Sequence, residues 1–339
     1  MPEYNVVVVG AAGAVGQEIL KVLEERRFPV GRLKLCATSR SAGKRLVFRH
    51  EEYCVEETTP DSFTGMDIAL FAGGAASLEF GPAAVEKGCV VIDNSSNFRL
   101  DAEVPLVVPE VNPEDVKWHR GIIANPNCST IIMVVPLKAI HDEAGVKRVV
   151  VSTYQAVSGA GLEAIAELTH QTKAVLEGGE YPPKVFPYPI AFNLLPHIDV
   201  FQEMDYTKEE WKMVKETRKI MHAPDLAITA TTVRVPVYRS HSESVNVETH
   251  EKLTARQARE VLARFPGVIV LDDPPNKQYP MPLFCSHRDE VFVGRIREDN
   301  SLPNGLNLWV VADQLRKGAA TNAVQIAELI IQYGCLRGR

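Results

Sequence analysis

"YNVVVVGAAGAVGQEILKVLEER", residues 4–26, decides the fold. Val6 to Val9 form the β-branched run of a buried strand, and Ile19, Leu20, Val22 and Leu23 then recur at helical spacing. Between them glycines stand at 10, 13 and 16, in a G-x-x-G-x-x-G pattern rather than the commoner G-x-G-x-x-G. Glycine allows a sharp turn and lets the backbone approach a pyrophosphate held at the helix N-terminus. A glycine pattern alone is weak evidence; its place between a strand and an amphipathic helix makes it strong. Gly10, Ala12, Gly13, Ala14, Val15 and Gly16 are therefore expected to contact a dinucleotide. The bland alternative is a tight turn with no ligand.

Outward from this unit, "LKLCATSR" (33–40), "DIALFAGG" (67–74), "CVVIDNSS" (89–96) and "GIIANPN" (121–127) read as further strands. The helix-like "SLEFGPAAVEKG" separates two of them. Alternating strands and helices predict a parallel sheet covered on both faces. The second strand ends "CATSRSAGK", without the acid that holds ribose hydroxyls in NAD enzymes. Ser39, Arg40 and Lys44 stand there instead, and a guanidinium with hydroxyls suits a 2′-phosphate. NADP is the expected cofactor; a solvated basic loop is the alternative.

After residue 127 the texture changes. "VKRVVVSTYQAVSG" predicts a strand and "LEAIAELTHQTKAVLEG" a helix. Valines alternating at 233, 235 and 237, then at 245 and 247, predict antiparallel strands, and the sheet of this half is expected to be mixed or antiparallel. Thr207–Glu210 and Thr254–Gln257 are capping boxes opening two more helices. The expected architecture is α/β: a Rossmann-like doubly wound domain over 1–127, completed by a C-terminal helix in 315–339, and an α+β catalytic domain over 128–314.

The chain has 339 residues, 45% hydrophobic and 24% charged, which suits two globular domains. Thirty-seven basic against 43 acidic residues give a net charge of −6, with no clustered Lys/Arg, so no nucleic-acid surface is expected. No apolar stretch approaches the roughly 18 residues of a membrane span. Six cysteines without C-x-x-C or metal-ligand spacing read as free thiols in a reducing compartment, with no metal site. With no secretory signal evident, a cytoplasmic location is the expectation.

One cysteine stands apart. In "NPNCST" (125–130), Cys128 falls where a strand ends and an apolar helix begins. Free N–H groups and the helix dipole stabilise a thiolate there. The other five are expected to be inert, buried cysteines. A nucleophilic thiol needs a partner base. Patterning leaves two histidines open: His241, at a polar break between strands, and His170, on the helix after Gln155.

"NPNCST", "YQAVSGAG", "VRVPVYRSHSE" and "NLWVVADQLRKGAATNAVQI" together resemble aspartate-β-semialdehyde dehydrogenases of the bacterial type. The resemblance runs from the first strand to the last helix, with four separated segments in the family's order. It implies a glyceraldehyde-3-phosphate-dehydrogenase-like fold, a homodimer and NADP. The implied reaction is reversible reduction of aspartyl-β-phosphate to the semialdehyde, a phosphorylating oxidoreduction that feeds diaminopimelate, lysine, threonine and methionine synthesis. By position, Cys128 matches the nucleophile, His241 the general acid/base and Gln155 the residue orienting the intermediate. Arg234 matches the arginine that grips the substrate carboxylate, as its planar fork suits. Arg99 and Lys212 resemble the phosphate-binding pair, with Asn127 near, and Glu209 the acid holding the substrate amine. Glu210 competes with Glu209 for that place, because it also fits the capping box. Ser158, Gly159, Ala72, Gly73, Asn94 and Gln314 resemble further cofactor contacts. Rival readings are N-acetyl-glutamyl-phosphate reductase, which usually has glycine rather than Asn127 before the cysteine, a glyceraldehyde-3-phosphate type, and a non-enzymatic NADP-binding regulator.

Overall fold

The structure, a computed structural model, describes residues 2–336. The last three residues of the expected C-terminal element, 337–339, lie outside the described residues. The chain forms two compact units, Met1–Asn127 with Ala319–Arg339, and Cys128–Gly318.

The first unit is built on six parallel strands: β1 (Tyr4–Val9), β2 (Val30–Ala37), β5 (Glu56–Glu57), β6 (Ile68–Phe71), β7 (Val90–Asp93) and β8 (Ile122–Ala124). Their order is β5-β2-β1-β6-β7-β8, so the chain winds both ways from β1, as a doubly wound sheet does. Helices α1 (Ala14–Glu25) and α2 (Ala76–Glu86) cover it. A short antiparallel hairpin, β3 (Arg45–Phe48) with β4 (Glu51–Cys54), is an addition that alternation of strands and helices did not predict. Strands buried on both faces need apolar residues at every position. Val6, Val7, Val8 and Val9 accordingly split between two core layers, even residues on one face and odd on the other.

The second unit opens with α3 (Cys128–Ala144), 12 of whose 17 residues are buried. It continues through β9 (Val146–Gln155), α4 (Leu162–Leu176), α5 (Lys208–Ile220), β10 (Ala227–Arg234) and β11 (His241–Thr249). Then come α6 (Ala255–Arg264), β12 (Val268–Val270), α7 (Pro282–Cys285), β13 (Val291–Glu298) and β14 (Gly305–Ala312). The sheet order is β10-β9-β11-β14-β13-β12. It is mixed: β10 runs parallel to β9, whereas β11 is antiparallel to both β9 and β14. A mixed sheet is one of the two forms expected for this half, although the two valine-rich segments are not direct neighbours. β9 lies between them, and the strand ends at Arg234, because Val235 to Ser240 form a loop. Both capping boxes are present, at Thr207 and Thr254. Finally α8 (Thr321–Gln332) buries Ala323, Val324, Ile326, Ala327 and Ile330 in the first unit's core, with Ile19 and Leu23 of α1.

Strand alternation gives the mixed sheet two unlike faces. Thr153, Gln155, Thr232, Arg234, His241 and Glu243 point to the buried face, which α3 and α5 cover. Ser152, Tyr154, Ser244, Asn246, Asn307 and Trp309 on the other face are at least partly exposed. Long loops tie to this layer through side chains. On α4, buried Glu167 accepts from the backbone N–H groups of Lys184 (2.8 Å) and Val185 (2.6 Å), and Gln171 from that of Ile190 (2.7 Å).

Glu243 is fully buried, and neither carboxyl oxygen has a hydrogen-bond partner among the described residues. Burial therefore holds its pKa well above the ordinary 4.5. The unfolded chain loses this proton above pH 4.5 while the folded chain keeps it, so stability falls as pH rises toward the folded value. Thermal unfolding of Glu243→Gln should be less pH-dependent than wild type between about pH 5 and pH 8. Parallel pH profiles for the two proteins would show that this carboxyl is not protonated in the fold.

Candidate active site

The second unit carries a cluster of chemically capable side chains around the end of β9. In-register pairing sets Gln155 beside Arg234 and Tyr154 beside Ser242, so Gln155, Arg234 and His241 meet on one face. Cys128, the first residue of α3, is half-buried, with Sγ 3.4 Å from His241 Nε2. His170, the competing histidine, is exposed on α4 and stacks on Tyr181 instead.

A residue with no functional side chain organises these groups. The N–H of Ala156 donates to His241 Nδ1 at 3.0 Å, and its carbonyl accepts from Arg234 Nη1 at 2.7 Å. Arg234 and His241 are almost wholly buried. His241 is pulled down to about 3, first by burial and then by the Arg234 charge, with Glu209 opposing. Burial also lowers the Arg234 pKa, against the pull of Glu209 and Cys128.

A second chain of contacts runs through Gln155. Its carbonyl oxygen accepts from the Thr153 hydroxyl at 2.9 Å, so the amide nitrogen is left to donate to Glu209 Oε1 at 3.1 Å. Glu209 Oε2 accepts from Lys212 Nζ at 3.0 Å, and the same ammonium donates to Asp199 Oδ2 at 3.0 Å. Burial disfavours the Lys212 charge, but Glu209 and Asp199 outweigh it and the pKa is raised. The two glutamates differ in their bonds. Glu210 accepts from the backbone N–H of Thr207 (2.7 Å) and of Thr232 (2.9 Å), so it is consumed as a cap. Glu209 faces the cluster.

Glycine shapes the space around the thiol. A Cβ at Gly318 would stand 3.0 Å from Cys128 Cβ; one at Gly159 would stand 3.1 Å from Arg234 Nη1 and 3.4 Å from His241 Cε1. Gln314 donates to the Ser158 hydroxyl and accepts from the Ser240 N–H at 2.8 Å, so two expected cofactor contacts share one network beside His241. Asp313, fully buried, pairs with Arg239 and accepts from the His287 N–H, pinning the approach to β11.

Among the other cysteines, Cys36, Cys89 and Cys285 are buried, and burial pushes Cys89 up to about 12 and Cys285 to about 11. Cys54 is exposed on the edge hairpin and Cys335 is half-buried, which corrects the expectation that all five are core thiols. The described residues contain no His/Cys/Asp/Glu cluster able to hold a metal, and no helix long and apolar enough to cross a membrane.

The first unit forms a separate cradle. Gly10 has φ +82°, and the Gly13 N–H donates to its carbonyl at 3.0 Å. Gly16 packs so closely that a Cβ would stand 2.3 Å from the Gly10 carbonyl oxygen, hence glycine there. Ala12, Ala14 and Val15 lie along this turn and the start of α1, where N–H groups are free of intrahelical partners. A cleft of about 420 Å³ opens beside it, lined by Gly10, Ser39, Thr58 and Gly73 among others. Ala72 precedes Gly73 and donates its N–H to Val9. Arg40 lies in an exposed turn next to Ser39, and Lys44 is exposed four residues further on. Glu57 also lines the cleft, because β5 pairs with β2 and sets Glu57 beside Ala37. Reading β2 alone could not show an acid that arrives on another strand. Asn94 donates its side-chain amide to the Phe71 carbonyl at 2.8 Å and accepts from Asn125 at 2.9 Å, while its own carbonyl accepts from Arg99 at 2.7 Å. Asn127 and Arg99 are both buried.

A thiol beside a buried histidine and arginine in one unit, and a glycine-turn cradle in the other, are the arrangement of a two-domain dehydrogenase. The semialdehyde dehydrogenase NAD binding domain family matches residues 5–119, and the semialdehyde dehydrogenase dimerisation domain family residues 137–317. Aspartate-semialdehyde dehydrogenase from Aquifex aeolicus is 60% identical over 338 residues, covering 98% of this chain and 99% of that one. The crystal structure of aspartate semialdehyde dehydrogenase II from Vibrio cholerae, complexed with ASA, superposes with a TM-score of 0.95 at 47% identity, over 98% of this chain and 99% of that one. Aspartate semialdehyde dehydrogenase with NADP from Candida albicans gives 0.76 at 25% identity, over 97% and 99%. The chain belongs to the aspartate-semialdehyde dehydrogenase family.

Sequence reading passed over Ala156, Thr153, Gly318, Asp313 and Asp199. The first two act through the backbone and through another side chain, and no residue-type signal marks them. Gly318→Ala should slow alkylation of Cys128 and lower turnover by roughly tenfold or more, since a misplaced nucleophile loses its geometry. Unchanged alkylation and turnover in a folded variant would show that this close approach is unimportant.

Proposed function

We propose that this protein is an NADP-dependent aspartate-semialdehyde dehydrogenase, which reversibly converts aspartyl-β-phosphate to aspartate β-semialdehyde and phosphate through a thioester on Cys128. The observation that carries the reading is the Cys128–His241 contact of 3.4 Å at the start of α3, with Arg234 held by the carbonyl of Ala156, the residue whose N–H holds His241. The positive end of the α3 dipole stabilises the sulfur anion and the oxyanion of each tetrahedral adduct. The thiolate attacks the acyl phosphate, and phosphate leaves toward Arg99 and Lys212. Asn127 assists in placing that group.

Arg234 takes the substrate α-carboxylate with its planar guanidinium, and Glu209 takes the amine. Gln155, its amide orientation set by Thr153, aligns the acyl group. His241 faces both sulfur and acyl oxygen. NADPH, when bound, supplies the hydride that reduces the thioester. Gly10, Ala12, Gly13, Ala14, Val15 and Gly16 hold its pyrophosphate, Ser39 and Arg40 its 2′-phosphate, and Ala72, Gly73, Asn94, Ser158, Gly159 and Gln314 the remainder. The cradle fits such a group: a glycine turn that admits no side chain, with hydroxyl and guanidinium groups at the end of β2. The residues from 1 to 127 with the C-terminal helix serve the nucleotide, and those from 128 to 314 serve chemistry and homodimer formation, with the half-exposed sheet face around Tyr154 and Trp309 as the pairing surface. The enzyme works in the cytoplasm.

Cys128→Ser should retain NADP binding and lose at least about a hundredfold in kcat with aspartate semialdehyde and phosphate. Near wild-type turnover would rule out the covalent scheme. The same phosphate-dependent assay with N-acetyl-glutamate semialdehyde and glyceraldehyde 3-phosphate separates the rival reductases. Arg234→Lys should raise the KM for the semialdehyde about tenfold, because a point charge cannot copy the guanidinium fork. An unaltered KM would remove Arg234 from carboxylate binding.

A further inference from the structure

Glu167 is buried on α4 and has no part in the reaction proposed above, yet three backbone N–H groups converge on it. Its carboxylate accepts from Lys184 (2.8 Å), Val185 (2.6 Å) and Phe186 (3.4 Å). One turn along the helix, the Gln171 side chain donates to Glu167 at 3.2 Å and accepts from the N–H groups of Ile190 (2.7 Å) and Ala191 (3.2 Å). The loop then closes on β10 itself, where Leu195 and Arg234 exchange both backbone hydrogen bonds, at 3.0 and 2.9 Å. Backbone outside helix and sheet must find other partners for its N–H groups, and here buried side chains supply them. Residues 184–195 are thus pinned at three points.

One consequence is the place of Phe186. Its half-buried ring packs against the cluster that holds Val157, Ala164, Leu168 and Leu195. The guanidinium carbon of Arg234 lies over that ring, 5.9 Å from its centroid. The negative face of an aromatic ring attracts a cation, more strongly where water is excluded, as it is around buried Arg234. Arg234 Nη1 is committed to the Ala156 carbonyl at 2.7 Å. That leaves Nε and Nη2, which have no hydrogen-bond partner among the described residues, to meet a carboxylate. A single hydrogen bond fixes one atom, not the plane of the guanidinium. Two parallel N–H···O bonds to a carboxylate need the plane fixed as well. The Phe186 ring bounds the guanidinium on one side and supplies that second restraint.

We propose that Phe186 is a positioning residue for capture of the substrate carboxylate, setting the plane in which Arg234 presents Nε and Nη2, and that Glu167 acts by holding Phe186 in place. This rests on the carboxylate-binding role proposed for Arg234 above. No contact with substrate is asked of either residue. Both act on the arginine, so their loss weakens binding of the semialdehyde more than it slows the chemistry.

With aspartate semialdehyde, phosphate and NADP, Phe186→Leu should raise the KM for the semialdehyde about fivefold, while kcat and the KM for phosphate stay within about twofold of wild type. Phe186→Tyr keeps an aromatic face and should keep the low KM. A wild-type KM in Phe186→Leu, or equal losses in the leucine and tyrosine variants, would overturn the assignment. In an Arg234→Met background, Phe186→Leu should add less than about twofold to the loss in kcat/KM, because the ring acts through the guanidinium. A full fivefold loss there would show that Phe186 works independently of Arg234. Glu167→Gln should raise the same KM. An unchanged value, with the amides of Lys184, Val185 and Phe186 losing exchange protection, would remove Glu167 from the chain of action.

Solvent exchange of the Arg234 Nε–H separates this proposal from the function it rests on. It is read by NMR of arginine-labelled, ligand-free protein, with the signal identified by its loss in Arg234→Lys. Phe186→Leu should speed that exchange at least about threefold, and an unmoved rate would refute the restraint. Should the wild type fail to turn over aspartate semialdehyde, the proposed function falls, while the exchange rates still decide whether Phe186 holds Arg234.

Discussion

The backbone of Ala156 is the constraint on which the side-chain cluster depends. Its N–H holds His241 and its carbonyl holds Arg234, so both side chains are fixed to one residue just past the end of β9. Backbone groups make good anchors because their directions are set by the strand and cannot rotate away. The register of β9 between β10 and β11 then decides everything downstream. A slip of one residue would turn Gln155, Arg234 and His241 to the opposite face of the sheet.

Around that point the fold buries several ionisable groups, and they reach two different solutions. Glu209 is held by Gln155 and Lys212, Lys212 in turn by Asp199, and Arg234 by the Ala156 carbonyl, contacts that offset part of the cost of desolvating these charges. Glu243 has no such partner, and burial favours its neutral form. Burial and the Arg234 charge likewise lower the His241 pKa, and the bond from the Ala156 N–H gives the ring a defined direction.

The first unit uses backbone in a similar way for a different end. The turn after β1 presents N–H groups where side chains would block approach, and Gly16 is forced by the carbonyl of Gly10 lying where a Cβ would go. Beside it, the cleft collects residues from the ends of β1, β2, β5 and β6, in the manner of parallel sheets whose ligands sit at the carboxyl ends of strands. Glu57 among them means that the cleft is not purely basic, although β2 itself ends without an acid.

The sequence by itself determined what is local. The strand, glycine turn and helix at 4–26, the two capping boxes and the thiol at a helix start each rest on contacts within a few residues, so their patterns are legible. Family resemblance added the choice of His241 over His170, which periodicity left open. Tertiary structure alone decided what depends on distant partners. The parallel pairing of β10 with β9, the arrival of Glu57 next to Ala37, the bond from the Thr232 N–H to Glu210, and the double use of Ala156 all join segments some twenty or more residues apart. Such contacts follow from sheet order and register, which residue types do not encode one at a time. A backbone amide is common to nearly every residue, so only its position in the fold could reveal that this one holds the catalytic ring.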